Sequence, residues 1–181
     1  DALQPSLPRL FQLSCNSLTF TLLHPSVTDV ASAASLCWTV ARAVRDAAGG
    51  VPQPVPADLA AAVVATLGQA QEAPVEVTLA LVRVLGATAS VDTAVPVLLG
   101  LLNSSNVDVV VETLNSLMDS YSDEPSLSAA DIANAAGMTV LQQAADSASP
   151  SFSDQEQADF TERLLETASN VQPFLQYLED R

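Results

Sequence analysis

The sequence predicts an all-α protein, an α-solenoid in which antiparallel helix pairs stack on one another. Residues 72–88 (EAPVEVTLALVRVLGAT) and 104–120 (SSNVDVVVETLNSLMDS) align at an offset of 32 residues. Each segment opens with a short polar break and continues with apolar residues at helical spacing; self-similarity at a period of roughly 20–50 residues is typical of stacked repeats. The composition agrees, because Ala, Val and Leu dominate and aromatic residues make up only 4%, which suits closely packed helices. No segment shows the period-two alternation of a half-buried strand.

Capping and breaking residues set the expected helix boundaries. Pro8 suits the first turn of the first helix, the Gly49–Gly50 pair ends the second, and Gly137 is expected to separate two helices. Ser128 and Ser153 are expected to cap the helices that follow them, each with an acidic residue three positions later. The predicted helices span residues 7–23, 29–47, 57–70, 75–89, 93–102, 107–121, 128–135 and 138–145, followed by a last helix that starts at 153 and is kinked by Pro173.

We group these helices into a single solenoid fragment, 1–181, with about eight helices in four antiparallel pairs. The approximate repeats are 7–48, 57–89, 93–121 and 128–180. A helix pair cannot bury both of its faces alone, so each pair is expected to stack on the next. The apolar stripes predict a core that contains Val82, Leu85, Val110, Leu114, Leu117, Leu141 and Leu164.

The charge balance excludes some partners and favours others. The chain has 21 acidic residues and six basic ones, all of them Arg, for a net charge of −15. Direct binding of DNA or RNA needs a basic face that neutralises phosphates, and the sequence has no basic cluster denser than Arg42 and Arg45. The acidity points instead to solubility or to a basic protein as partner.

The sequence predicts no membrane span and a reducing compartment. The longest charge-free run, 10–28, contains too many polar residues for a transmembrane helix, and nothing like a signal peptide precedes it. Cys15 and Cys37 lie in apolar helical contexts. They can pair with each other, but core thiols of a reducing compartment are the favoured interpretation. We therefore expect a location in the cytoplasm and nucleus, without secretion.

The residues with catalytic or metal-binding chemistry form no familiar constellation. His24 is the only histidine, and it lies in a turn without a second His or Cys close in sequence, so a solvated turn residue is favoured over a metal ligand or a base. Cys15 as a nucleophile would need His24 as its base. Asp119, Asp123 and Glu124 lack the spacing of a calcium loop, and the six glycines form no phosphate-binding loop. The sequence therefore predicts no enzyme and no cofactor.

One polar pattern stands out on the predicted helix 107–121. Asp108, Glu112, Asn115 and Asp119 are spaced by 4, 3 and 4 residues, so we expect them to share one exposed helix face. Extended by Asp123 and Glu124, this stripe is our candidate protein-binding site. The alternative is an ordinary solvated helix face. The charge distribution favours the binding interpretation, because residues 106–181 have a net charge of −12 and residues 1–105 only −3.

Two resemblances refine these expectations. Residues 57–148 resemble HEAT and armadillo repeats, with "VPVLLGLLNSSNVDVVVETLNSLMD" similar to a HEAT unit and "DIANAAGMTVLQQAA" closer to an armadillo unit. In such solenoids the second or last helix of each repeat lines a concave surface, which would place the polar stripe in a peptide-binding groove. The resemblance supports an architecture and says little about function.

A narrower resemblance covers residues 106–181. "ETLNSLMDSYSDE" and "NVQPFLQYLEDR" are similar to the carboxy-terminal part of the symportin family, adaptors that escort ribosomal proteins of the 5S particle into the nucleus. Asp119, Tyr121, Asp123 and Glu124 match its acidic stretch, and Phe174 and Tyr177 match its aromatic last helix; the ending "LEDR" departs from the basic ending of that family. The resemblance implies a non-enzymatic adaptor or chaperone that binds a basic ribosomal protein. The alternative is a structural HEAT-repeat scaffold module of a larger complex.

Overall fold

The structure, a computed structural model, describes residues 6–24, 27–50, 53–69, 73–148 and 155–181. Every regular element in these ranges is an α-helix, which confirms the predicted all-α class. The described helices number nine, one for each predicted helical segment and one more than the count of about eight in four pairs. They are α1 (Leu7–Leu23), α2 (Val27–Ala47), α3 (Ala57–Leu67), α4 (Val75–Thr88), α5 (Val91–Leu101), α6 (Val107–Tyr121), α7 (Ala129–Ala133), α8 (Ala136–Ser147) and α9 (Gln155–Asp180).

The chain divides into two compact units, a first unit (Asp1–Val97) and a second unit (Leu98–Arg181). In the first unit, α1 packs against α2 and α3, and α4 packs against the same two helices. The buried side chains at these contacts include Phe11, Leu18, Leu59 and Leu81. Burial of such apolar side chains is the main stabilising contribution to the unit.

The end of α2 has the geometry that the Gly49–Gly50 pair predicts. Both glycines have positive φ, +71° and +93°. The Gly50 N–H donates to the Arg45 carbonyl at 2.8 Å, and the Gly49 N–H donates to the Asp46 carbonyl at 3.3 Å. This pair of bonds is a Schellman motif, which satisfies carbonyls that the helix end leaves open.

In the second unit, α9 packs along α6, α7 and α8, and α8 also packs against α6. The expected core residues of both units are buried: Val82, Leu85, Val110, Leu114, Leu117, Leu141 and Leu164. Their burial is confirmed, whereas the grouping into repeats stays a prediction.

Gly137 lies inside a helix instead of separating two. The helix expected from Met138 begins at Ala136, so Gly137 is in its first turn. The Gly137 N–H donates to the Leu102 carbonyl at 2.9 Å, and the Ala136 N–H donates to Asn103 Oδ1 at 3.0 Å. A Cβ on Gly137 would lie 2.6 Å from Val110 Cγ2. A close tertiary contact, and not a helix break, therefore requires glycine here.

The other predicted helix boundaries match the structure to differing degrees. Ser128 caps α7, with Oγ accepting from the Ala130 N–H at 3.1 Å. Ser153 lies outside the described residues. The helix predicted over 93–102 begins earlier, at Val91, so Pro96 is the sixth residue of α5. α9 continues through Pro173. None of the described helices combines the length and the apolar character that crossing a bilayer requires.

Candidate functional site

The predicted polar stripe lies on α6, whose start is fixed by a side-chain cap. Asn106 Oδ1 accepts from the backbone N–H groups of Asp108 (2.9 Å) and Val109 (3.4 Å), so α6 begins at Val107 as predicted. Val110, Leu114 and Leu117 are fully buried on the apolar side of the helix. The orientation of α6 is therefore set by its apolar face, and the polar stripe lies on the remaining surface.

The middle of that stripe is covered by α9. Arg163 Nη2 of α9 lies 2.8 Å from Glu112 Oε2, and Glu112 is 7% exposed. Thr167 Oγ1, also on α9, donates to Asn115 Oδ1 at 3.1 Å, and Asn115 is half-buried. The expectation that the four stripe residues share one exposed face is therefore wrong for Glu112 and Asn115. The physical reason is that α9 presents a polar row at helical spacing that matches the polar row of α6.

The ends of the stripe remain accessible to solvent. Asp108 is half-buried in the first turn of α6, where a carboxylate interacts favourably with the helix N-terminus. Asp119 is exposed near the end of α6. These two carboxylates are separated along the helix by the part that α9 covers, so they do not form one continuous binding surface with Glu112.

Asp123 and Glu124 lie where the loop after α6 meets the end of α9. The Tyr177 hydroxyl donates to Asp123 Oδ1, and this hydrogen bond raises the pKa of Tyr177 above its ordinary value. The Arg181 guanidinium donates to the carbonyls of Glu124 and Leu127. The acidic stretch and the aromatic last helix, which we predicted as separate motifs, are thus in direct contact.

Both arginines of the second unit bind groups within that unit. Arg163 pairs with Glu112, and Arg181 donates to backbone carbonyls. The unit contains 14 acidic residues and these two arginines, a net charge of −12. The two guanidinium groups thus offset only two of the 14 carboxylates.

A second acidic row, which the sequence analysis missed, lies on the exposed side of α9. Asp159, Glu162 and Glu166 are all exposed and are spaced by 3 and 4 residues, so they share one face; we call them the α9 acidic row. The opposite side of α9 buries Leu164 and Val171. The signal that could have found the row was this alternation between an apolar and an acidic face along residues 155–180.

The other candidates from the sequence have simple surroundings. His24 is exposed at the end of α1, and its ring centroid lies 4.8 Å from that of Phe20. Cys15 and Cys37 are buried, with their Sγ atoms 4.0 Å apart. Within the described ranges there is no group of three or more His, Cys, Asp or Glu residues arranged to hold a metal ion.

The chain was compared with protein-family models, with curated proteins and with solved structures, and none of these comparisons returned a match.

Proposed function

We propose that this chain is a non-enzymatic adaptor or chaperone of the α-solenoid class that binds a basic protein or peptide through the acidic surface of its second unit. A ribosomal protein is the partner that the symportin resemblance implies. The repeat architecture is supported by helix lengths: α3 and α5 each contain 11 residues, and α4 and α6 contain 14 and 15. Two consecutive segments, each a shorter helix followed by a longer one of nearly the same length, fit the sequence repeat at an offset of 32 residues.

The observation that favours a basic partner is the uncompensated charge of the second unit. Its net charge is −12, and both of its arginines bind groups within the unit. A surface of one charge sign raises the rate of encounter with an oppositely charged partner and selects against like-charged ones. In this proposal Glu112 and Asn115 do not contact the partner; they hold α9 in place through Arg163 and Thr167. The accessible carboxylates are those of the α9 acidic row together with Asp119.

The test is binding of a fluorescent peptide of alternating Lys and Gly, with a peptide of alternating Glu and Gly as the control ligand. Exposed ion pairs contribute about 0–1 kcal/mol each, so affinity depends on several of them together. We expect the Lys peptide to bind and its affinity to fall steeply between about 50 and about 300 mM KCl. Neutralising the α9 acidic row (D159N, E162Q and E166Q together) should weaken binding roughly ten-fold.

A matched variant separates a local surface from a general effect of net charge. Asp46, Asp58 and Glu76 are exposed acidic residues of the first unit, and D46N, D58N and E76Q together change the net charge by the same amount. This triple variant should bind almost as tightly as the parent. Equal weakening by both triple variants, or a Lys peptide that does not bind at low salt, would contradict the proposal.

A structural scaffold module is the second candidate, favoured by an exposed apolar row on α1. Leu10, Leu13, Phe20 and Leu23 share one helix face and are between 46% and 69% exposed. Exposed apolar surface of this kind is typical of contacts within larger assemblies. Association through α1 should persist at high salt and should be lost in the L13Q/F20Q variant. Such a result, together with no binding of the Lys peptide, would favour the scaffold over the adaptor.

A further inference from the structure

Two cysteines face each other across the contact between α1 and α2. The Sγ atoms of Cys15 and Cys37 are 4.0 Å apart, and the residues are 1% and 0% exposed. Each lies in the interior of its helix on the buried face, beside Leu18 on α1 and Ala34 on α2. The helices therefore hold the two sulfur atoms in contact while both thiols are reduced.

The packing around the pair favours formation of a covalent bond. The buried face of α2 is rich in small side chains, with Ala33, Ala34 and Ala41 all buried, so α1 can approach it closely. A disulfide has an S–S distance of about 2.05 Å. From 4.0 Å, the two sulfur atoms must therefore move together by about 2 Å.

We propose that Cys15 and Cys37 are a redox-sensitive modification site, at which a hydroperoxide closes an intramolecular disulfide between α1 and α2. In a reducing compartment the site is a dithiol, because the glutathione and thioredoxin systems keep thiols reduced. When the hydroperoxide concentration rises, the pair becomes a covalent link between the first two helices. This inference is independent of the proposed binding function.

The reaction balances with hydrogen peroxide as the oxidant. One thiolate attacks a peroxide oxygen, the O–O bond breaks, and a sulfenic acid and hydroxide form. The second sulfur then attacks the sulfenic sulfur, the S–O bond breaks, and the disulfide and water form. In sum, two thiols and one hydrogen peroxide give one disulfide and two waters; both sulfurs are oxidised and both peroxide oxygens are reduced.

The two thiols have different roles in these two reaction steps. A hydrogen bond between them lowers the pKa of Cys37, whereas that bond together with burial raises the pKa of Cys15. Either sulfur can donate in the hydrogen bond, and the lowered pKa of Cys37 favours it as the thiolate that attacks the peroxide, with Cys15 as the resolving thiol. Hydrogen peroxide is small enough to reach the pair during local openings of α1.

Closing the bond should stabilise the first unit. The cysteines are 22 residues apart in sequence, and a link across a loop of this length restricts the unfolded chain. We expect the oxidised protein to melt roughly 5–10 °C higher than the reduced protein.

The test is peroxide treatment of the folded, full chain, followed by alkylation in denaturant, intact mass measurement and thermal melting. The parent should lose both alkylatable thiols, become lighter by two hydrogen atoms and form no intermolecular disulfide. The C15A variant should instead gain oxygen on Cys37, and its melting temperature should not rise. A parallel reaction of the parent in denaturant shows whether the fold brings the sulfurs together, because closure should be slower there.

Four outcomes would overturn the proposal. In three of them the parent keeps two alkylatable thiols, forms sulfinic or sulfonic acids in place of the disulfide, or forms only intermolecular disulfides. A disulfide that lowers the melting temperature would also refute it, because the native packing would then oppose the bond.

Discussion

The contact between Glu112 and Arg163 is the strongest test of how α6 and α9 pack. At 2.8 Å and an effective dielectric constant of about 20, the direct attraction is about 6 kcal/mol before desolvation. Desolvation offsets most of this, since the Glu112 side chain is 9% exposed and that of Arg163 is 46% exposed. The stability lost when this pair is broken should therefore lie between the value for an exposed pair, about 0–1 kcal/mol, and the value for a buried pair that loses one partner, about 3–5 kcal/mol. We expect R163M to lower the free energy of unfolding by about 2 kcal/mol.

A double-mutant cycle measures the interaction itself. R163M, E112Q and the double variant, compared by urea denaturation, should give a coupling energy of about 1–2 kcal/mol. Hydrogen exchange should show the loss of protection concentrated in peptides from α6 and α9. Glu166 is an exposed carboxylate on the same helix, and E166Q should change stability by less than about 0.5 kcal/mol. A coupling energy near zero would refute the contact between the polar residues of α6 and those of α9, and Glu112 would then be accessible to solvent.

Three further predictions follow from other contacts in the second unit. G137A should lower the free energy of unfolding by about 3 kcal/mol in urea denaturation, because its new Cβ would overlap the Leu102 carbonyl oxygen and Val110 Cγ2. T113V should raise stability by about 1 kcal/mol by the same measurement, since the buried Thr113 hydroxyl has no hydrogen-bond partner among the described residues. D123N should bring the pKa of Tyr177 back toward its ordinary value, as followed by tyrosinate absorbance in an alkaline titration. Because the folded-state pKa of Tyr177 is raised, its contribution to stability is present below the unfolded pKa of about 10 and is lost as pH rises through the folded value.

Matched substitutions serve as controls for the first two of these. A Cβ on Gly100, within α5, would meet no atom within 4 Å, so G100A should be neutral or stabilising by about 0.5–1 kcal/mol. The buried Thr88 hydroxyl donates to the Val84 carbonyl at 2.6 Å, so T88V should destabilise by about 0.5–1 kcal/mol. If G137A is as stable as G100A, Gly137 does not lie as close to Leu102 and Val110 as described. If T113V destabilises the protein as T88V does, the Thr113 hydroxyl has a hydrogen-bond partner.

The helices that the sequence predicted best are those whose ends are fixed by local chemistry. α1 and α6 have the predicted bounds, 7–23 and 107–121. For α6, the cap at Asn106 fixes the first turn within the segment itself. Gly137 was misinterpreted because its role depends on Leu102 and Val110, which are distant in sequence. A local rule treats an isolated glycine as a break, and only the tertiary contact shows that its missing Cβ is what matters.

The candidate site shows the same limit for a polar face. A carboxylate and an amide at helical spacing can be solvated or can bind the polar face of another helix, and the spacing is the same in both cases. The residues that bind Glu112 and Asn115 are Arg163 and Thr167, which lie 51 and 52 residues further along the chain. Sequence spacing therefore placed Glu112 and Asn115 correctly on one face of α6 and could not tell that α9 covers it.

The placement of the arginines makes this chain suited to following local unfolding with a protease. Trypsin can cut only after arginine here, because the sequence contains no Lys. Arg9 lies in α1, Arg42 and Arg45 in α2, Arg83 in α4 and Arg163 in α9. Cleavage at each of these bonds requires the helix that contains it to open. The order in which tryptic fragments appear should therefore rank the opening free energies of four helices in one experiment, without any label or substitution.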